Sequence, residues 1–299
     1  MEFTGERFTP ECVREIWYEH WHRYAFSLQM AEGRDVLDLA CGEGYGSHLL
    51  ASRARSVMGM DLSAEAINHA RVRYKSCKNL SYVEADAIDI PSPDDSYDLV
   101  VCFETIEHLL AQGEMLAEFR RVLRPDGVLL ISSPDKKTYS DESEVGNPFH
   151  LKELYRGEFL SLLKGEFPAV RLLGQKLLFQ SVIWTQDESP GGCQWHALDG
   201  QDRVAEPARI YQPMYFIALC GQFERYLPKN KDTLWLFGDT DESVYQHYHH
   251  EIRKNMQAGN ILAERDREIQ DLRAQLEQAR SGQPGLFGRL FGKRQENHD

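Results

Sequence analysis

Carboxylates at Asp38, Asp61, Asp86 and Glu104 stand at or just past the ends of β-rich runs, and a Gly-x-Gly-x-Gly run (Gly42, Gly44, Gly46) follows the first of them. These residue types suit a nucleotide-like ligand. Glycines let the main chain turn tightly and approach a bound molecule. An acid closing the second strand can accept both hydroxyls of a ribose, and Asp86 can reach an adenine amino group. A dinucleotide loop would read G-x-G-x-x-G; here Ser47 occupies the position where the third glycine would fall. Two histidines could take a proton from an acceptor. His150 lies in a polar loop after the fifth strand, and His108 at the start of the helix after the fourth; each could instead be orienting or structural. Glu104, Glu107 and the acidic stretch 141–144 could hold a divalent cation, but adjacent loop acids are usually solvated, and no metal is assigned.

The elements that must position these groups alternate. Strand-like runs at 35–40, 56–61, 80–85, 97–103 and 128–133 are separated by helical patterns near 46–54, 63–77 and 112–123. Ser63 reads as a helix N-cap, and Arg124-Pro125-Asp126-Gly127 as a turn. This alternation predicts an α/β, doubly wound, mostly parallel sheet, with ligands at the carboxyl ends of its strands. A helix near 151–164 and strand-like runs at 177–184 and 215–220 follow, with a long loop or lid at 186–212 between the two runs. The catalytic domain is expected to span 1–228. The aromatics Trp17, Tyr18, Trp21 and Tyr24 fall at helical spacing before the first strand, where they pack or stack on a substrate ring.

Beyond a linker at 229–252, which carries His247, His249 and His250 as a solvated helix start or a metal-binding run, the pattern becomes helical and charged. Leu262, Ile269 and Leu276 recur every seven residues; Arg265, Leu272 and Ala279 take the other core position. Glu268 and Arg273 sit where an ion pair forms between parallel helices. A coiled coil over 253–281, starting weakly after Gly259, is expected to make a homo-oligomer; the alternative is one helix packed on the body. The end, 282–299, carries Leu286, Phe287, Leu290 and Phe291 on one helical face and Arg289, Lys293 and Arg294 elsewhere. This is an amphipathic basic tail suited to a membrane surface or a partner groove, or else a frayed end.

Composition narrows the classes. The 299 residues carry 34 Lys and Arg against 47 Asp and Glu, a net −13. Such a surface repels phosphate backbones, so nucleic acid is not an expected partner. The six cysteines contain no C-x-x-C pair and fit reduced thiols. No signal peptide or apolar membrane span is visible. The expected location is the cytoplasm, with peripheral attachment to the inner membrane through the tail.

The motif order resembles class I S-adenosylmethionine-dependent methyltransferases, well over residues 35–135. The resemblance implies a Rossmann-like seven-stranded sheet with the 215–220 run antiparallel. It implies S-adenosylmethionine as cofactor, held by Arg23, Asp38, Gly42, Gly44, Asp61, Leu62, Asp86, Ala87 and Glu104. Gly42 and Gly44 would pass the methionine part, Asp61 hold the ribose, Asp86 and Ala87 the adenine, and Glu104 lie near the sulfonium. Thr4-Gly5-Glu6-Arg7-Phe8, His20-Trp21-His22-Arg23-Tyr24, Gly42-Glu43-Gly44-Tyr45-Gly46, Phe103-Glu104-Thr105-Ile106-Glu107-His108-Leu109 and Asn147-Pro148-Phe149-His150 narrow it further. They look like methyltransferases of bacterial surface-polysaccharide clusters, in particular the methyltransferase half of kinase/methyltransferases that cap O-antigen chains in lipopolysaccharide biosynthesis. There Arg23 would meet the cofactor carboxylate. No kinase signature is present, so chain termination by methylating a sugar hydroxyl is the simpler expectation. Alternatives are a small metabolite, a lipid-linked intermediate or a phosphorylated glycan end as acceptor, and a scaffold that binds a glycosyltransferase.

Overall fold

A computed structural model describes residues 15–142, 147–178, 197–198, 204–205, 211–229, 232 and 234–281. The chain divides into two compact units, Met1–Gly238 and Asp239–Asp299. The first unit holds α1 (Glu15–Ala31), β1 (Asp35–Leu39), α2 (Tyr45–Ala51), β2 (Ser56–Asp61), α3 (Ala64–Arg73), β3 (Leu80–Glu84) and β4 (Tyr97–Cys102). It continues with α4 (Gln112–Val122), β5 (Leu123–Pro134), α5 (Arg156–Glu166), β6 (Ala169–Gln175) and β7 (Tyr215–Gly221). The strands form one sheet in the order 3-2-1-4-5-7-6. All neighbours pair in parallel except β7, which is antiparallel to β5 and β6.

Strand parity builds two core layers. Val36, Leu99, Val101, Val128, Leu130 and Leu219 face one side, with Tyr24, Ala31, Leu50 and Ile67 of the covering helices. Leu37, Val100, Leu129, Ile131 and Ala218 face the other, under Met115 and Phe119 of α4 and Phe159 and Leu163 of α5. Central β4 is therefore apolar on both faces, which is why it reads as the unbroken Leu-Val-Val-Cys run. Ser63 caps α3 by accepting from Ala66 N. The 124–127 turn loops out within β5: pairing with β4 jumps from Tyr97–Leu123 to Leu99–Val128.

Several expectations change. The sixth strand is Ala169–Gln175, not 177–184; Leu177 and Leu178 are not in a strand, and 179–184 lie outside the described residues. This edge strand is only partly buried and carries Arg171 and Gly174, so its apolar signal is weak. His108 closes a 3₁₀ turn (Ile106–His108) rather than opening a helix, since α4 begins at Gln112. Most of the 186–212 loop, the 4–8 motif and the 282–299 tail fall outside the described residues. Among the described residues no helix is long and apolar enough to cross a membrane.

Among its described residues the second unit holds one helix, α6 (Ser243–Ser281), which takes in the His247–His250 run and passes through Gly259. Its Leu262, Ile269, Leu272 and Leu276 are exposed. Glu268 pairs with Arg265 of the same helix at 2.6 Å.

Candidate active site

The loop between β1 and α2 is wound by left-handed residues at Ala40, Gly42 and Gly44. A side chain at Gly44 would run into the Tyr82 ring, whose hydroxyl donates to Gly44 O at 2.8 Å. Gly46 leaves room for the Tyr24 ring. Asp61 pins this loop from the next strand: it accepts from Gly42 N and Ser63 N, both at 2.9 Å. A carboxylate has about four acceptor positions, so it keeps capacity for ribose hydroxyls. Leu62 beside it is 70 % exposed, an apolar face open to a ligand. Asp86 lies two residues past β3, half-buried, accepting from Ile88 N at 3.2 Å, with Ala87 buried next to it.

Asp38 differs from this group. It is fully buried and accepts from Tyr24 Oη at 3.0 Å and Ser47 Oγ at 2.5 Å. Burial pushes its carboxyl up to about 7 against the lowering effect of those two donors. Its visible work is to fasten α1 and α2 to the loop. Glu43 and Tyr45 serve the same end: Glu43 is buried near His69 and Arg73 of α3, and Tyr45 packs on Trp21 and Tyr24.

Arg23 comes from α1, far from the loop in sequence. Its guanidinium is 1 % exposed and lies over the Tyr215 ring at 5.0 Å. Nη1 donates to Gln175 Oε1 at 2.8 Å and stands 3.9 Å from Glu104 Oε1. Nε and Nη2 are buried without a hydrogen-bond partner among the described residues. Buried unpaired donors are costly, and a ligand carboxylate would satisfy both. Glu104 is held in a left-handed conformation at φ 49 by Ser132, whose hydroxyl accepts from Glu104 N and donates to its side chain.

The third cluster was not expected as a cluster. Glu107 O accepts Leu151 N at 2.9 Å and Lys152 N at 3.0 Å, and Gln112 donates to both Ile106 O and Lys152 O. These bonds lay the 147–152 loop on the 3₁₀ turn and bring the His108 and His150 rings to 5.0 Å, edge to face. Glu107 is 1 % exposed, and burial, reinforced by nearby Glu104, pushes its carboxyl well above the usual range. The sequence offered Glu107 only as one of several carboxylates that could hold a divalent cation, and no local pattern ties it to His150.

The aromatics of α1 divide between packing on the loop and lining a cavity. Trp21 and Tyr24 pack on the loop, whereas Tyr18, His22, Arg23 and Phe26 line a cavity of about 320 Å³ with Trp235 and Phe237.

Residues 37–131 match a family described as a methyltransferase domain. Over those residues the chain is similar to methyltransferase domains. The chain is similar to a probable S-adenosylmethionine-dependent methyltransferase of Mycolicibacterium smegmatis, 38 % identical over 167 residues, or 55 % of this chain and 64 % of the relative. It also resembles one of Mycobacterium tuberculosis, 39 % identical over 54 % of this chain and 60 % of the relative. The matches thus span less than two thirds of these relatives' length. The crystal structure of the YcgJ protein of Bacillus subtilis shares the methyltransferase domain's fold, with a TM-score of 0.50, 16 % identity, and coverage of 68 % of this chain and 100 % of that one. The names of these relatives specify S-adenosylmethionine as cofactor, and the unpaired donors of Arg23 fit the carboxylate of that molecule.

Proposed function

We propose that the protein is an O-methyltransferase acting on a hydroxyl of the terminal sugar of a bacterial surface glycan such as O-antigen, so that methylation caps chain growth. The observation carrying methyl transfer is Arg23, a fully buried cation with two unpaired donors beside Glu104. When bound, S-adenosylmethionine supplies a methyl group on a positively charged sulfur, so the acceptor oxygen must be aligned and lose one proton as a C–O bond replaces the C–S bond. The chain's residues do the rest. Arg23 and the Gly42–Gly44 loop hold the amino-acid end, Asp61 the ribose, and Asp86, Ala87 and Leu62 the base. His108 and His150 engage the acceptor hydroxyl.

The glycan reading draws on the resemblance of the flanking motifs and on the aromatic cavity beside Arg23, whose flat rings suit a sugar face. A homo-oligomer through α6, and a glycosyltransferase or the inner-membrane surface as partner of the tail, belong to the same reading. The test is incubation of the full chain with methyl-labelled S-adenosylmethionine and a panel of short glycans with free or phosphorylated ends, plus hydroxylated small metabolites. Label on a free terminal sugar is expected. Label found only on a phosphate or a metabolite would replace the acceptor assignment.

A further inference from the structure

We propose that Glu107, His108 and His150 bind one divalent transition-metal cation, Zn²⁺ by donor chemistry, with an open position that takes the acceptor hydroxyl. The inference rests on the methyl-transfer reading and deepens it: the metal is the means by which the two histidines activate the acceptor.

Five observations converge. One ligand atom from each residue lies within 4.8 Å of the other two, so a small inward movement closes a coordination shell. Glu107 Oε2 is buried and has no hydrogen-bond partner among the described residues, an arrangement that a cation would satisfy. His108 Nδ1 is 3.0 Å from Phe149 O, which fixes the proton there and turns the lone pair of Nε2 toward Glu107 Oε1, 4.0 Å away. His150 Nδ1 is 2.5 Å from Glu153 Oε1, which also accepts from Ser140 Oγ at 2.7 Å. Both imidazoles therefore carry the oxygen partner on Nδ1 that orients a metal-binding histidine through Nε2. Finally, the shell is pre-assembled, because Glu107 O and Gln112 lock the two segments together. Asn147 Nδ2, 3.0 Å from His150 Nε2, has only to swing aside.

Two histidines and one carboxylate with an open position form the donor set of catalytic zinc sites. Mg²⁺ and Ca²⁺ prefer all-oxygen shells. Zinc lowers the pKa of a bound water to about 7; a coordinated sugar hydroxyl shifts in the same sense, giving its proton to solvent and leaving an oxygen nucleophile. Glu153 acts as a positioning residue through His150.

The test uses the full chain stripped with chelator and titrated with Co²⁺ alone, followed by its visible absorption, then by Zn²⁺ competition. One Co²⁺ per chain is expected. His108→Gln and His150→Gln are each expected to weaken binding by more than about 100-fold, and Glu153→Gln, which leaves all three ligands in place, by about 10–100-fold. No saturable Co²⁺ band, or unchanged binding in His150→Gln and Glu153→Gln, overturns the site. Calorimetry with S-adenosylmethionine on the same metal-free chain separates the failures. Cofactor binding without Co²⁺ binding removes only the metal; no cofactor binding removes the methyl-transfer reading beneath it.

Discussion

The two ends of the site are built differently. After β1, β2 and β3, each working group is fixed by neighbours within one or two elements: Asp61 holds Gly42 N and Ser63 N, and Asp38 holds Tyr24 and Ser47. After β4, Glu107 is tied across more than forty residues, its main-chain oxygen capturing Leu151 N and Lys152 N. In the proposed reading the first end is a mould for the cofactor. The second is assembled by long-range contacts and, in the same reading, receives the acceptor. If binding and chemistry divide along this line, mutations at the two ends should move different kinetic quantities.

The largest effect tests the acceptor end. The double variant His108→Gln, His150→Gln should lower kcat by about 10²–10⁴ while leaving S-adenosylmethionine affinity by calorimetry unchanged. A parallel loss of cofactor affinity would show that the two ends are one unit. The cofactor end should respond in the opposite sense. Arg23→Met removes two charge-assisted donors, each contributing about 1.5–3 kcal/mol; a net loss of about 3 kcal/mol weakens the cofactor roughly 100-fold. Turnover at saturating cofactor should change far less. Arg23→Lys should recover little, because an ammonium lacks the planar fork.

The same division explains what could be read from the sequence. Runs 35–40, 56–61, 80–85 and 97–103 fall within a residue of the parallel strands they predict, and 215–220 within a residue of the antiparallel one, because strands largely buried in the sheet leave dense apolar runs whatever their direction. Asp61 and the glycine loop were legible because strand end and turn are adjacent in sequence. The 169–175 strand was not, since an edge position lets Arg171 and Gly174 stand where apolar residues would signal it. Glu107 meeting His150 was hidden because it depends on backbone hydrogen bonds between distant segments. Asp38 was visible as an acid, but not that α1 would cover it.

A smaller effect concerns that covered acid. The folded protein holds a proton on Asp38 up to about pH 7, whereas an unfolded chain releases it near 3.8. Between those values the folded state binds more protons, so stability falls as pH rises through the window and levels off above it. Between about pH 5.5 and 7 the expected loss from this group is about 2 kcal/mol. Urea unfolding of Asp38→Asn should remove that part of the slope, and an unchanged slope would mean that another group sets it.

The smallest effect at the site is expected from α6, and its absence is the point. A helix of 39 residues with Leu262, Ile269 and Leu276 at 66, 46 and 53 % exposure gains little from its own chain. The Arg265–Glu268 pair is exposed and contributes about 0.3–0.5 kcal/mol at most. Helices this polar are marginal without packing along one face, and the seven-residue spacing supplies a narrow seam suited to a second copy. Ile269→Glu with Leu276→Glu puts like charges in that seam and should turn an oligomer into a monomer by sedimentation. Cofactor affinity should stay at the wild-type value, because Arg23, Asp61 and the glycine loop are positioned entirely within the first unit. An oligomer that survives both charges would move self-association away from this seam.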